Sequence, residues 1–325
     1  MKILVVRESG GWGDVLCTLF AVRGLRKKYP ESHISYLCME PFAPMLQRVP
    51  EINRVLVHGR SDSEPPRRVR AHRRHMGEPL DLKRYGLVHH YDLVVDLWCP
   101  ADVHERATGG AIERSRIECF CDAAGVECPP IASLSVTAEE RVWANSLLNE
   151  LLPGTLYRVL IQEHSAKVTK NWPMSSIERL GQILRPQGIG ALTTRLQGPS
   201  VPGMPSVMGL SHLKVAALVA EANCVVAPDS GLFHLAAAVG TPCVALFGPT
   251  DPRQYMKHYP LASFLWKPGT AQEVGCNCPC LYYASNRFPP LNKHCIEEGE
   301  CMRAILPQEV ALAVYESLAE GRRVA

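Results

Sequence analysis

Short runs of Val, Ile and Leu, each followed by a helix-length amphipathic stretch, recur along the whole chain, and no other feature restricts the fold as much. In the first half the predicted strands are Ile3–Val6, His33–Cys38, Arg54–Val57 and Asp92–Leu97, with helices near Asp14–Tyr29 and Glu113–Ala124. Runs that are apolar without alternation suit strands buried on both faces, as in a parallel sheet covered by crossover helices. The prediction is therefore an α/β fold. Thr137 and Glu140 open a helix as a capping box, and Pro153-Gly154 punctuates the chain before a new strand at Tyr157–Gln162. The same rhythm then resumes. A helix follows Pro173 with Ser175 and Glu178 as capping pair, then come strand Ala191–Gln197 and helix Leu213–Ala222. Strand Cys224–Ala227, helix Gly231–Val239, strand Cys243–Phe247 and helix Pro307–Glu320 complete the order. At 325 residues the chain has room for two cores, and the expected division is 1–153, 154–306 and a terminal helix over 307–325.

Charge and hydropathy narrow the function classes. The net charge of +3 is too mild to imply nucleic acid. No run of eighteen apolar residues occurs, and Met1–Arg7 leads straight into a strand pattern rather than a cleavable leader, so a cytoplasmic protein is expected. One region breaks the rhythm. Gly59–His90 reads as an inserted loop or irregular helical excursion, and within it Arg67, Arg68, Arg70, Arg73 and Arg74 stand with His72 and His75. That block is either a solvated loop or a contact for an anionic acceptor or phospholipid, the second placing the protein at a membrane surface.

Two strand-to-helix turns carry chemistry. The first runs Glu8-Ser9-Gly10-Gly11-Trp12-Gly13-Asp14 after the opening strand. Glycines there let backbone approach a ligand, with Gly11 and Gly13 as candidates, but the spacing is not the G-x-G-x-x-G dinucleotide fingerprint, and Asp14 would repel a pyrophosphate. This counts against a nicotinamide dehydrogenase. Asp14 either caps its helix or serves as a general base. The second turn is Asp229-Ser230-Gly231, which ends a strand and opens an Ala-rich helix carrying His234 one turn in. Its amides and dipole suit a diphosphate. The alternative is that Asp229 or Ser230 is an N-cap and His234 a satisfied core histidine. Lys170, before Trp172-Pro173, is either a solvated lysine or a group that neutralises a leaving phosphate without a metal, and the chain has no Asp-x-Asp pair to hold one.

Together these segments resemble glycosyltransferase family 9, the heptosyltransferases of the lipopolysaccharide inner core. The resemblance rests on Gly13-Asp14-Val15-Leu16, Lys170–Pro173, Asp229–His234 and Gly240-Thr241-Pro242 with Leu246–Pro252. It implies a GT-B fold, with an acceptor domain and a nucleotide-sugar domain facing across a cleft and the last helix packing back on the first domain. It further implies that Asp14 deprotonates an acceptor hydroxyl for inverting attack. Lys170, the amides at Ser230-Gly231 and His234, beside Asp229, would hold the leaving diphosphate, with ADP-heptose as donor and no catalytic metal. The acceptor is left as lipopolysaccharide core, another glycan, a glycolipid or a protein, and a GT-B transferase of another nucleotide sugar is the nearest alternative.

Cys276, Cys278, Cys280, Cys295 and Cys301 crowd together, offering five thiolates where a tetrahedral site needs four. Their spacing is not that of a zinc ribbon. It is similar to the cysteine pattern of family members that glycosylate autotransporters, which is associated with iron. The expectation is a structural iron or zinc on Cys276, Cys280, Cys295 and Cys301 with Cys278 as alternate. Reduced thiols, a local disulfide, or a non-catalytic or redox protein organised by the cluster stay open.

Overall fold

The computed structural model describes residues 1–8, 10–57, 80–82, 91–109, 111–131, 133–195, 200–267 and 299–324, the last four of these as backbone. The basic block 67–75 and four of the clustered cysteines, Cys276, Cys278, Cys280 and Cys295, lie outside these residues. The described chain divides into two compact units, Met1–Leu134 and Ser135–Ala325.

In the first unit the strands β1 (Lys2–Arg7), β2 (His33–Cys38), β3 (Arg54–Val57) and β4 (Leu93–Asp96) form a parallel sheet in the order β3-β2-β1-β4. Its helices are α1 (Trp12–Lys28), a short α2 (Ala43–Leu46), α3 (Pro100–Ala107) and α4 (Arg116–Ala123). The unbroken apolar run of β1 is buried from Ile3 to Val6, as strands covered on both faces require. Leu4, Val6 and Leu37 share one face with Leu56, Leu80, Leu82, Tyr91 and Val94. So Leu80 and Leu82, at the edge of the irregular region, close one side of this core. The helix α4 starts at Ser115, whose hydroxyl accepts from Glu118 N while Glu118 accepts from Ser115 N, a capping box.

The second unit holds α5 (Ala138–Leu151), β5 (Tyr157–Gln162), α6 (Met174–Leu184), β6 (Ile189–Arg195), β7 (Ser206–Met208) and α7 (His212–Glu221). It continues through β8 (Cys224–Pro228), α8 (Gly231–Val239), β9 (Cys243–Phe247), β10 (Ala262–Trp266), α9 (Glu300–Arg303) and α10 (Pro307–Val324). Its parallel sheet runs β10-β9-β8-β5-β6-β7. Counted from β5, that is the full 3-2-1-4-5-6 order of a dinucleotide-binding sheet, with its reversal between β5 and β8.

Three expectations change. The domain boundary falls at 134/135 rather than 153/154, because α5 packs on α7. Its Ala144 and Leu148 are buried, and Arg141 and Asn145 both reach Glu221, at 2.7 and 2.9 Å. The terminal helix, expected to pack back on the first domain, buries Val310, Ala311, Val314 and Leu318 in the second unit's own core with Trp172, Ile177 and Leu180. Ser175 and Glu178 are not a capping pair, since α6 begins at Met174 behind Pro173, whose carbonyl accepts from Ser176 and Ile177. The capping box at Thr137–Glu140 is present as read. Two parallel-sheet α/β units in succession are the GT-B plan. Among the described residues no helix is long and apolar enough to cross a membrane.

Candidate functional site

In open parallel sheets, ligands bind beyond the carboxyl ends of strands where the order reverses, because adjacent crossovers there leave on opposite faces. In the second unit that place lies between β5 and β8. Beyond β8, Asp229 and Ser230 turn the chain into α8, and Ser230 is the N-cap with extended backbone (φ −158°, ψ 178°). Its side chain does not cap the helix. Instead Oγ donates to Oε1 of Gln162, the last residue of β5. The first-turn amides and the dipole of α8 therefore meet this end of the sheet without a side chain of the N-cap across them.

Lys170 enters from a short 3-10 turn, Val168–Lys170. Its Nζ donates to the Asp229 carboxylate at 2.9 Å and to the Asp229 carbonyl at 3.0 Å, with both side chains buried. The ammonium is thus fixed beside the N-terminus of α8, where its N–H donors join the free amides of the helix while the Asp229 carboxylate balances its charge. One turn into α8, His234 places Nδ1 2.7 Å from the Tyr259 hydroxyl and Nε2 3.9 Å from Asp229 Oδ1. Its ring packs against Tyr255 and Phe233, at centroid distances of 4.7 and 5.0 Å. The core reading and the site reading of this histidine meet: one nitrogen is anchored in the aromatic core and the other faces the Lys170–Asp229 pair.

The first unit has its own reversal, between β1 and β4. Arg7 ends β1, and its guanidinium donates to the carbonyl of Leu97 at 2.7 Å and to that of Trp98, just past β4. It also lies over the Phe120 ring, 5.5 Å from the centroid. Asp14, in the first turn of α1, stands 3.3 Å from Arg7 Nη2 and 3.5 Å from Arg116 Nη2, and Arg116 in turn bonds Asp102 at 3.0 Å. Its other oxygen accepts from Gly11 N at 2.9 Å. Capping and availability are therefore not exclusive. The Asp14 side chain is 29% exposed between guanidinium groups that are 3% and 5% exposed, so the carboxylate is the reachable member of the cluster.

The structure brings Lys170, Asp229, Ser230, Gly231 and His234 together in the second unit, and Gly11, Gly13 and Asp14 in the first. Of the groups that hold them, Asp229 was named from the sequence, whereas Arg7, Arg116, Gln162 and Tyr259 were not. Arg7 was legible as a charge ending an apolar strand, and Arg116 as a charge inside an amphipathic helix. Gln162 and Tyr259 carry no signal in the sequence. Of the three neighbouring glycines the demanding one is Gly10, at φ +101°, where a Cβ would lie 2.7 Å from Arg7 Nη2 and 2.8 Å from Asp14 Oδ2. Of the cysteine cluster only Cys301 is described. It is buried in the core of the second unit, with Sγ 2.8 Å from where a Cβ on Gly248 would sit.

A family profile described as Glycosyltransferase family 9 (heptosyltransferase) matches residues 206–277, which include Asp229–His234. Lipopolysaccharide heptosyltransferase 1 of Pseudomonas aeruginosa is 27% identical, with 96% of each chain covered. Among solved structures, a glycosyl transferase family 9 protein of Veillonella parvula superposes with a TM-score of 0.69 at 19% identity, covering 98% of this chain and 97% of its own. The ADP-heptose lipopolysaccharide heptosyltransferase II of E. coli superposes at 0.68 and 18% identity, covering 99% and 100%.

Proposed function

We propose that this chain, which belongs to glycosyltransferase family 9, transfers heptose from ADP-heptose to a hydroxyl of lipopolysaccharide core, with inversion and without a metal ion in the transfer step. It is a glycosyltransferase by a relative aligned over 96% of the chain and by the family profile at 206–277. The donor, acceptor and stereochemistry are our reading of its site.

One observation carries that reading: the Lys170 ammonium held by Asp229 against the N-terminus of α8. A leaving nucleoside diphosphate gains negative charge on its terminal phosphate as the glycosidic bond breaks, and donors fixed in advance stabilise that charge most because they need not reorganise. Lys170 and the amides at Ser230 and Gly231 supply such donors, and His234 adds a nitrogen from the same turn. The second requirement is a base for the incoming hydroxyl. Asp14 accepts its proton, attack on the anomeric carbon proceeds opposite the leaving diphosphate, and Arg7 and Arg116 hold the carboxylate in place. A cytoplasmic protein peripheral at the inner membrane through residues 67–75 suits such an acceptor, and another glycan, a glycolipid or a protein is the alternative acceptor.

The test is a transfer assay on the full chain with ADP-heptose beside ADP-, UDP- and GDP-hexoses, lipopolysaccharide core as acceptor, and a chelator in a parallel arm. Transfer from ADP-heptose that survives chelation is expected. Turnover from a different nucleotide alone removes the donor assignment, and loss of transfer on chelation removes the metal-free step. For Cys276, Cys280, Cys295 and Cys301, with Cys278 as alternate, we propose a structural iron or zinc, consistent with the buried Cys301 thiol. Elemental analysis checks it: equal metal content in wild type and Cys301→Ser takes Cys301 out of the ligand set.

A further inference from the structure

In the first unit Cys121 and Cys128 are free thiols whose Sγ atoms stand 2.8 Å apart. A disulfide bond is about 2.05 Å long, so the two sulfurs are less than an ångström from bonding distance. Their approach is built by the backbone. Cys121 lies in the last turn of α4, and the chain reverses after it through Gly125, at φ +63°. Gly125 N donates to the Asp122 carbonyl at 3.0 Å and Val126 N to the Cys121 carbonyl at 3.1 Å. The returning segment is pressed onto α1. A Cβ on Gly24 would lie 2.6 Å from Val126 Cγ2 and 2.9 Å from the Glu127 carbonyl, and Lys28 Nζ bonds the Gly125 carbonyl at 2.7 Å.

We propose that Cys121 and Cys128 form a reversible dithiol–disulfide site that exchanges with small-molecule disulfides of the glutathione type. The two thiols differ in the way such an exchange needs. Cys128 is half-buried and within reach of a small reagent, whereas Cys121 is buried. The hydrogen bond from Cys121 also stabilises the Cys128 thiolate and lowers its pKa, which makes it the attacking group. The Cys128 thiolate attacks one sulfur of the small disulfide, forming a mixed disulfide and releasing one small thiolate. Cys121 then gives up its proton and attacks Cys128 Sγ, and the second small thiolate leaves. One disulfide is consumed, two small thiols are made, and the protein is oxidised by two electrons.

The bond would tie down a helix that serves the Asp14 cluster. Arg116, at the start of α4, pairs with Asp14, and Phe120, next to Cys121, lies under the Arg7 guanidinium. Oxidation therefore clamps the helix carrying both contacts. The exchange itself does not depend on the transfer chemistry proposed above, and it is read by thiol chemistry alone.

The experiment equilibrates the full chain in glutathione buffers from reducing to oxidising, alkylates the remaining thiols, and maps peptides by mass. The expected result is a linked 121–128 peptide with loss of both alkylation sites, restored by dithiothreitol. Cys121→Ser should instead trap glutathione on Cys128, and Cys128→Ser should leave Cys121 alkylatable once unfolded and unmodified by glutathione. Both thiols remaining free across the series, Cys128 linked to a different cysteine, or no glutathione adduct in Cys121→Ser would each overturn the proposal. Amide exchange along α4 should slow on oxidation in the wild type and not in Cys128→Ser, and equal exchange in the two would overturn the clamp.

Discussion

The two units begin with the same four-strand order, β3-β2-β1-β4 in the first and β7-β6-β5-β8 in the second, yet they set opposite charges at their reversals. In the first, two nearly buried guanidiniums hold a carboxylate that is 29% exposed. In the second, a carboxylate that is 2% exposed holds an ammonium that is 8% exposed against a helix N-terminus. The lesson is that the scaffold fixes where a polar group can sit, while the partner buried beside it decides which sign of charge is offered. Asp14 without its arginines would be an ordinary capping residue, and Lys170 without Asp229 would have no reason to remain buried.

The largest effect should come from neutralising the reachable carboxylate. Asp14→Asn keeps an oxygen for Gly11 N but cannot take a proton, and loss of a general base costs about 10²–10⁴ in rate. Transfer assays should show that loss with donor binding and the unfolding midpoint little changed. Retained turnover would mean that Asp14 is only a cap and that the contrast between the units is structural. Next comes Lys170→Met, which leaves the buried Asp229 carboxylate uncompensated. Breaking a buried pair from one side costs about 3–5 kcal/mol, and neutralising both sides is far milder. Urea unfolding should show that cost in Lys170→Met and recover much of it in Lys170→Met with Asp229→Asn. The double variant should still bind ADP weakly, so that the charge clamp and the fold are measured apart.

Much of this comparison was legible in the chain. Buried parallel strands announce themselves by apolar runs, which is why β1, β2, β3, β5 and β9 lie where the pattern puts them. The edge strands β7 and β10 were not read: both are partly exposed, and β7 is only three residues long. The helix α3 also passed unread, its Pro100 resembling a turn signal although proline suits a first helical position. At the candidate sites, Asp14, Lys170 and Asp229 stood out as polar residues in or near strand-to-helix turns, whereas Arg7 and Arg116, which hold Asp14, did not. The pairing of Asp14 with Arg116 spans about a hundred residues of chain, and that of Lys170 with Asp229 spans 59. Only the tertiary fold creates them, so no local pattern could report which charge each turn would present.

The smallest effects test how tightly the first turn fixes its carboxylate. Gly10→Ala places a methyl group at φ +101°, where L-residues are strained, and within 3 Å of both Arg7 Nη2 and Asp14 Oδ2. The Arg7–Asp14 contact must open, and the expected cost is about 1–3 kcal/mol in stability together with a fall in transfer. Gly11→Ala is the matched control. Its backbone, at φ −87°, accepts any residue, and the nearest atom to a new Cβ is Asp14 Oδ2 at 4.0 Å. Alanine is a poorer N-cap than glycine, so a loss below about 1 kcal/mol is expected with activity kept. Thermal unfolding and transfer rates of the two variants side by side give the answer. If they lose equally, the turn only starts α1. If Gly10→Ala alone loses activity, the geometry between Arg7 and Asp14 is what the first unit contributes to transfer.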